Sequence, residues 1–185
     1  NAGGNTVTST INYINGTTTN IYGGGNEANG GESNINISGG TITNTYGGGN
    51  QAGLTESNIH VTAGSLTYLY GGSNNSGVVT DTHVLIDNTS ATITGIFGGG
   101  NLAQVGDTEV IINNGRIMNV YGGGNLAQVN GDTVVDINGG TVAQNIYGGG
   151  NYGVVKGDSY VTITDATILG SAYAGGNGST ATLEG

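Results

Sequence analysis

Six acidic residues recur at one phase of the sequence, each followed by a hydroxyl: Glu32-Ser33, Glu56-Ser57, Asp81-Thr82, Asp107-Thr108, Asp132-Thr133 and Asp158-Ser159. If these segments stack, the carboxylates form a column of like charges about 5 Å apart, which repels itself unless it is screened or bridged. A hard cation such as Ca²⁺ takes carboxylate and backbone oxygens, so Asp81, Asp107, Asp132 and Asp158 are weak Ca²⁺ candidates. The competing reading is that Gly-Asp is turn chemistry and the carboxylates are solvated. No other cofactor is expected. Glycoside hydrolysis needs two carboxylates at a set separation around one bond, and a repeated column is not such an asymmetric pair. His60 and His83 fall at outward phases and read as solvated strand residues. Arg116 and Lys156 are the only basic side chains, and they are isolated from each other. No enzymatic activity is expected.

A second pattern is richer. One motif recurs as Tyr22-Gly-Gly-Gly-Asn26, Tyr46-Gly-Gly-Gly-Asn50, Tyr70-Gly-Gly-Ser-Asn74, Phe97-Gly-Gly-Gly-Asn101, Tyr121-Gly-Gly-Gly-Asn125, Tyr147-Gly-Gly-Gly-Asn151 and Tyr173-Ala-Gly-Gly-Asn177. The aromatics are spaced 24, 24, 27, 24, 26 and 26 residues apart, and a degenerate copy stands at Gly3-Gly4-Asn5. Asn at such a corner hydrogen-bonds nearby backbone, tolerates unusual backbone angles, and can bond an Asn stacked on it. The glycines before it are expected to supply positive φ and close approach. The aromatics are expected to stack ring on ring. An outward stack would offer a carbohydrate platform; the spacing alone does not set whether it faces in or out.

A third set is Thr17-x-Thr19, Thr41-x-Thr43, Ser65-x-Thr67 and Thr92-x-Thr94. On a flat sheet such columns resemble the ice-binding face of a solenoid. The next copies read Arg116-x-Met118, Thr141-x-Ala143 and Thr167-x-Leu169, so the array stops after four. Thr is also simply a good strand residue.

The elements that must hold these residues follow from their periodicity. After each acid come Ser/Thr and two aliphatics at alternate positions, as in Ser33-x-Ile35-x-Ile37 and Thr108-x-Val110-x-Ile112. Period-2 patterning with β-branched residues specifies a strand with one buried face. A turn such as Gly39-Gly40, Asn114-Gly115 or Gly139-Gly140 follows. A second strand then runs into the aromatic, the Gly-rich corner comes next, and a short third segment such as Leu102-Ala-Gln-Val105 closes the unit. No apolar series has helical spacing. About 25 residues at roughly 3.3 Å each suit one three-sided turn of a solenoid whose coils stack about 4.8 Å apart. The expected fold is therefore all-β: a right-handed parallel β-helix of about 7 coils of 24–27 residues, three short strands per coil, forming one domain over 1–185.

Composition narrows the partners. The 185 residues include 40 Gly, no Pro and no Cys, with a net charge of −10. Collagen needs Pro and a strict third-residue Gly; nucleic-acid binding needs a basic footprint; membrane insertion needs a long apolar run. The Tyr-Gly-Gly-Gly-Asn and Gly-Asp-Thr-x-Val repeats resemble those of large secreted or surface-displayed bacterial repeat proteins with a parallel β-helix fold. That resemblance covers the chain and implies an extracellular, cell-surface location and a structural or adhesive role. The chain begins and ends inside a repeat with no recognisable polar cap. End-to-end self-association into a fibre, or continuation into neighbouring repeats of a longer chain, is the expected partnership, with surface glycans as a further candidate. Ice binding and action on a polysaccharide are the alternatives.

Overall fold

The computed structural model describes residues 7–184, with the side chains of 88 and 89 outside the description. The degenerate Gly3-Gly4-Asn5 copy lies outside it. Twelve strands and no helix occur among the described residues. In chain order they are β1 Thr8–Tyr13, β2 Thr17–Tyr22, β3 Glu32–Tyr46, β4 Leu54–Tyr70, β5 Val79–Phe97, β6 Val105–Tyr121, β7 Thr133–Ile137, β8 Thr141–Val142, β9 Ile146–Tyr147, β10 Ser159–Ile163, β11 Thr167–Ile168 and β12 Ala172–Tyr173.

All pairing is parallel and in register with the repeat. Glu32 lies beside Glu56, Glu56 beside Asp81, and Asp81 beside Asp107. Tyr22, Tyr46, Tyr70, Phe97, Tyr121, Tyr147 and Tyr173 are likewise successive partners. The chain is thus a β-solenoid of about 7 turns. Its central coils run the first and second sides together as single bent strands of 15 to 19 residues. The third side forms no strand of its own, entering the central coils only as the first residue of β4, β5 and β6. It shrinks to one paired residue per coil, in the order Leu54, Val79, Val105, Val129, Val155 and Leu183. One aliphatic suffices there because the Gly-rich corner brings neighbouring backbones together and leaves little interior to fill.

The core is a set of columns. On the first side Ile35, Ile59, Val84, Val110 and Val135 stack, as do Ile37, Val61, Ile86, Ile112 and Ile137, all essentially free of solvent. On the second side Ile42, Leu66, Ile93, Ile117 and Val142 form another column. A fourth holds Ile21, Thr45, Leu69, Ile96, Val120 and Ile146. The inward residues Ile42 and Thr45 are three positions apart, so two successive side chains, Thr43 and Asn44, point outward between them. The second strand bends there instead of alternating throughout.

The corner glycines act differently from the expectation. The positive-φ residues are Gly16, Gly40, Gly64, Gly77, Gly115 and Gly140. Five of these lie in the turn after the first strand, and none in an aromatic-Gly-Gly-Gly-Asn corner. No Asn adopts positive φ among the described residues. The corner glycines are required by proximity. A Cβ on Gly122 would overlap the Gly148 carbonyl oxygen and sit 2.9 Å from Val135 Cγ2. A Cβ on Gly123 would lie 2.7 Å from Gly150 N. Backbone packs on backbone at these two positions, while the third corner position takes a small side chain in one coil, where Ser73 is buried and donates to the Ala52 carbonyl at 2.8 Å.

Candidate functional surfaces

The inward hydroxyls of the first strand reach across the coil to that corner. Ser33, Thr82, Thr108 and Thr133 donate to the carbonyls of Gly47, Gly98, Gly122 and Gly148 at 2.5, 2.7, 2.7 and 2.8 Å, and Ser57 donates to Gly71. Each partner is the first glycine after an aromatic. A buried carbonyl without a partner costs about 1–3 kcal/mol, so a small hydroxyl at this position is a structural requirement. The sequence signal is the invariant Ser/Thr within the repeat; its partner is not legible there.

The Asn column forms an unbroken amide ladder. Asn50 donates to Asn26, Asn74 to Asn50, Asn101 to Asn74, Asn125 to Asn101, Asn151 to Asn125 and Asn177 to Asn151, at 2.8–3.0 Å from Nδ2 to Oδ1. Shorter ladders not expected from the repeat join Asn12 to Asn36, Asn20 to Asn44, and Asp87 through Asn113 to Asn138.

The aromatic column faces outward, opposite the aliphatic beside it in sequence, and forms a cluster of its own apart from the main core. From Tyr22 to Tyr173 successive ring centroids are 4.8–5.1 Å apart with interplanar angles of 3–11°. The rings bury one another: Tyr46, Tyr70 and Phe97 are nearly inaccessible although they point away from the interior. Their faces are occupied by their neighbours, so the interior of the stack offers no platform for a sugar ring. Burial, and secondarily the charges that neighbouring tyrosines would carry, push the Tyr70 phenol well above its ordinary value. Tyr46 and Tyr121 are raised for the same first reason.

The acid column is in register as expected, but its oxygens are partly engaged. Asp107 Oδ1 accepts from the Asp132 backbone N–H at 2.7 Å, and Asp132 Oδ1 from that of Asp158 at 2.8 Å. Glu32 and Glu56 accept from Asn34 and Asn58. Asp158 accepts the Tyr160 hydroxyl at 3.2 Å, and that carboxylate raises the Tyr160 pKa. Asp81 lines an open groove with Asp107, Asp132 and Glu109. Among the described residues, no three His, Asp or Glu side chains converge on a point that could hold a metal ion.

The two histidines sit on the outer face of the first side, each near an acid of the next coil. His83 Nδ1 is 3.0 Å from Glu109 Oε2, whereas His60 Nε2 is 3.7 Å from Asp87 Oδ2, too far for a hydrogen bond. Arg116 stands in the Thr column, between Thr92 and Thr141. Of the threonines singled out, Thr17, Thr19, Thr41, Thr43 and Thr92 are exposed and Thr67 and Thr94 half-buried, all facing outward on the second side.

One place on the second side departs from the repeat. The outward column Asn20, Asn44, Tyr68, Gly95, Asn119 loses its amides at Tyr68 and Gly95. A groove of about 330 Å³ opens there, bordered by Tyr68, Gly95, Phe97, Asn119, Asn125 and Asn151.

No family model matches this chain, and no curated protein or solved structure is significantly similar to it.

Proposed function

We propose that this protein is a structural rod of the extracellular cell surface, a stalk or fibre unit whose work is to extend and stiffen by stacking coil on coil. The observation that carries this is how the repeated residues are spent. The amide, aromatic and aliphatic columns contact their own counterparts one coil away, and each inward hydroxyl ties its strand to the Gly-rich corner of its own coil. Such contacts build length without creating an asymmetric reaction centre. A low charge content, the absence of Cys and the likeness of the repeats to those of bacterial surface proteins support the location and the adhesive role.

The same columns are open at the coil of β10, β11 and β12. Ile163, at the phase of the wholly buried Ile137, is 39% exposed, and the outer ring Tyr173 is 49% exposed. Among the described residues the outer edge of the coil of β1 and β2 pairs with no strand, and it carries Ser9 and Ile11 at the phases of Ser33 and Ile35. A second copy of the chain stacked head to tail would set Ser9, Ile11, Ile21 and Tyr22 in the columns of Ser159, Val161, Ala172 and Tyr173, with Tyr13 and Thr18 replacing aliphatics in two others, and a non-closing head-to-tail contact gives a filament. Electron microscopy of the purified protein tests this. The expected result is uniform filaments with axial layering of about 4.8 Å. Short monomeric rods at all concentrations would overturn the end-to-end contact.

The exposed Thr ranks favour a second reading, ice binding through the second side. Thermal hysteresis that disappears on replacing Thr43 and Thr67 with a bulky residue would support it. Its absence in the unmodified protein would exclude it.

A further inference from the structure

In a solenoid whose columns are maintained by coil-to-coil contacts, a residue that breaks a column gives up those contacts. Tyr68 and Gly95 do so in adjacent coils. With Asn at both positions, the outward amide ladder seen between Asn20 and Asn44 would run on to Asn119. Instead Tyr68 carries a ring that stands outside the parallel stack. It is tilted by 42° against Tyr70 and 51° against Phe97 and is 39% exposed. It leans over Gly95, where an added Cβ would come within 3.1 Å of Tyr68 Cδ1. The missing side chain at 95 is what opens the groove. Its lining includes Tyr68, Thr94, Phe97 and Asn119 together with the ladder residues Asn125 and Asn151.

The chemistry of these walls selects a ligand. No charged side chain borders the groove, and the whole chain carries −10, so an anionic ligand is repelled. Each ladder amide has two N–H bonds and two acceptor lone pairs. Asn125 spends one of each, donating to Asn101 and accepting from Asn151, and Asn151 does the same between Asn125 and Asn177. One donor and one acceptor site therefore remain on each amide, repeated at the coil spacing of about 4.8 Å along the rod. An exposed aromatic ring beside a row of neutral amides suits a ligand with an apolar C–H face and hydroxyls that recur along its length.

We propose that the Tyr68–Gly95 notch is a binding site for a neutral saccharide chain lying along the rod axis. A sugar ring packs its C–H face on Tyr68, and its hydroxyls bond the free valences of Asn125 and Asn151 and the Thr94 hydroxyl. The site does not depend on filament formation, so failure of either reading leaves the other intact.

The test uses the full chain with neutral gluco- and xylo-oligosaccharides of six units, and an oligogalacturonate of the same length as the anionic control. Binding is followed by tyrosine ring NMR shifts and calorimetry. Saturable binding of at least one neutral oligomer, with the largest shift at Tyr68 and none for the anionic control, is the expected result. The double substitution Tyr68→Asn and Gly95→Asn rebuilds the amide column and fills the groove. It should keep the fold, by circular dichroism and melting, and weaken binding on the order of tenfold or more. Thr94→Val, which keeps shape and removes one hydroxyl, should weaken it by a smaller factor and serves if the double variant does not fold. Absence of saturable binding to the neutral oligomers, equal binding of the anionic one, or unchanged affinity in the variants would overturn the proposal.

Discussion

Thr45 occupies a column that is otherwise Ile, Leu or Val at Ile21, Leu69, Ile96, Val120 and Ile146. It is fully buried and its Oγ1 has no hydrogen-bond partner. A buried hydroxyl that has lost water and gained no partner costs about 1–3 kcal/mol. Val has the same shape without that cost. Thr45→Val should therefore stabilise the protein by about 1–2 kcal/mol, seen as a higher midpoint in urea with an unchanged slope. A lower midpoint would mean that the hydroxyl has a partner the geometry does not reveal. Ser33, Ser57 and Thr82 stand in sharp contrast. They are equally buried, but each donates to a glycine carbonyl, so they are fixed where Thr45 is dispensable.

At the scale of the element, the aromatic column is the clearest case of side chains that bury themselves. Alternation counted from Ile42 and Leu66 would turn Tyr46 and Tyr70 inward; the bend that places two successive side chains outward after each of them puts both tyrosines on the outer face. They are still shielded, because each ring is sandwiched between two others. That shielding has a pH consequence. The Tyr70 phenol is held above its ordinary value of 10.0 by burial first and by neighbouring tyrosines second. Once pH rises past that value, the unfolded chain gives up this proton while the folded chain keeps it. The unfolded state then binds fewer protons, so stability is complete below about pH 10 and falls as pH rises further. Tyr70→Phe, which copies the residue at Phe97, should make that alkaline decline shallower without abolishing it, because Tyr46 and Tyr121 are raised in the same direction. Melting temperatures of both proteins between pH 8 and 11 provide the comparison; identical slopes would rule the Tyr70 phenol out as the cause.

At the scale of the whole molecule, the coils form one continuous stack in which each touches mainly its neighbours. Stability then grows with each added coil, and joining two copies should add to it in the same way. The charge of −10 opposes that joining, since two like-charged rods must approach end on. Salt screens this repulsion, with a Debye length falling from about 30 Å at 0.01 M to about 10 Å at 0.1 M. Filament growth, followed by light scattering, should therefore speed up as salt rises over that range. Growth that slows with salt would indicate that the ends are held by opposite charges instead of matched columns.

Much of the architecture is legible in the amino-acid sequence alone. The acid–hydroxyl–x–aliphatic phase locates the first strand and its inward face. The aromatic and Asn spacing sets the coil length and the stacking partners, because in a parallel solenoid equivalent positions must lie above one another. The register of Glu32 on Glu56 and of Asn26 on Asn50 follows from that alone. Other features depend on how each coil closes in space. The turn glycines, and not the corner glycines, take positive φ. The corner glycines are small because backbone meets backbone there. The third side contracts to a single residue such as Val105, and the bend at Thr43 and Asn44 puts two neighbours on one face. The partner of Ser33 lies fourteen residues on, across the interior, where no local pattern points. Tyr68 and Gly95 are visible in the sequence only as departures from the repeat. That they shape one groove is decided by tertiary structure, which brings residues of successive coils side by side. Sequence periodicity fixes what lies above what, whereas contacts across a coil depend on its closed path.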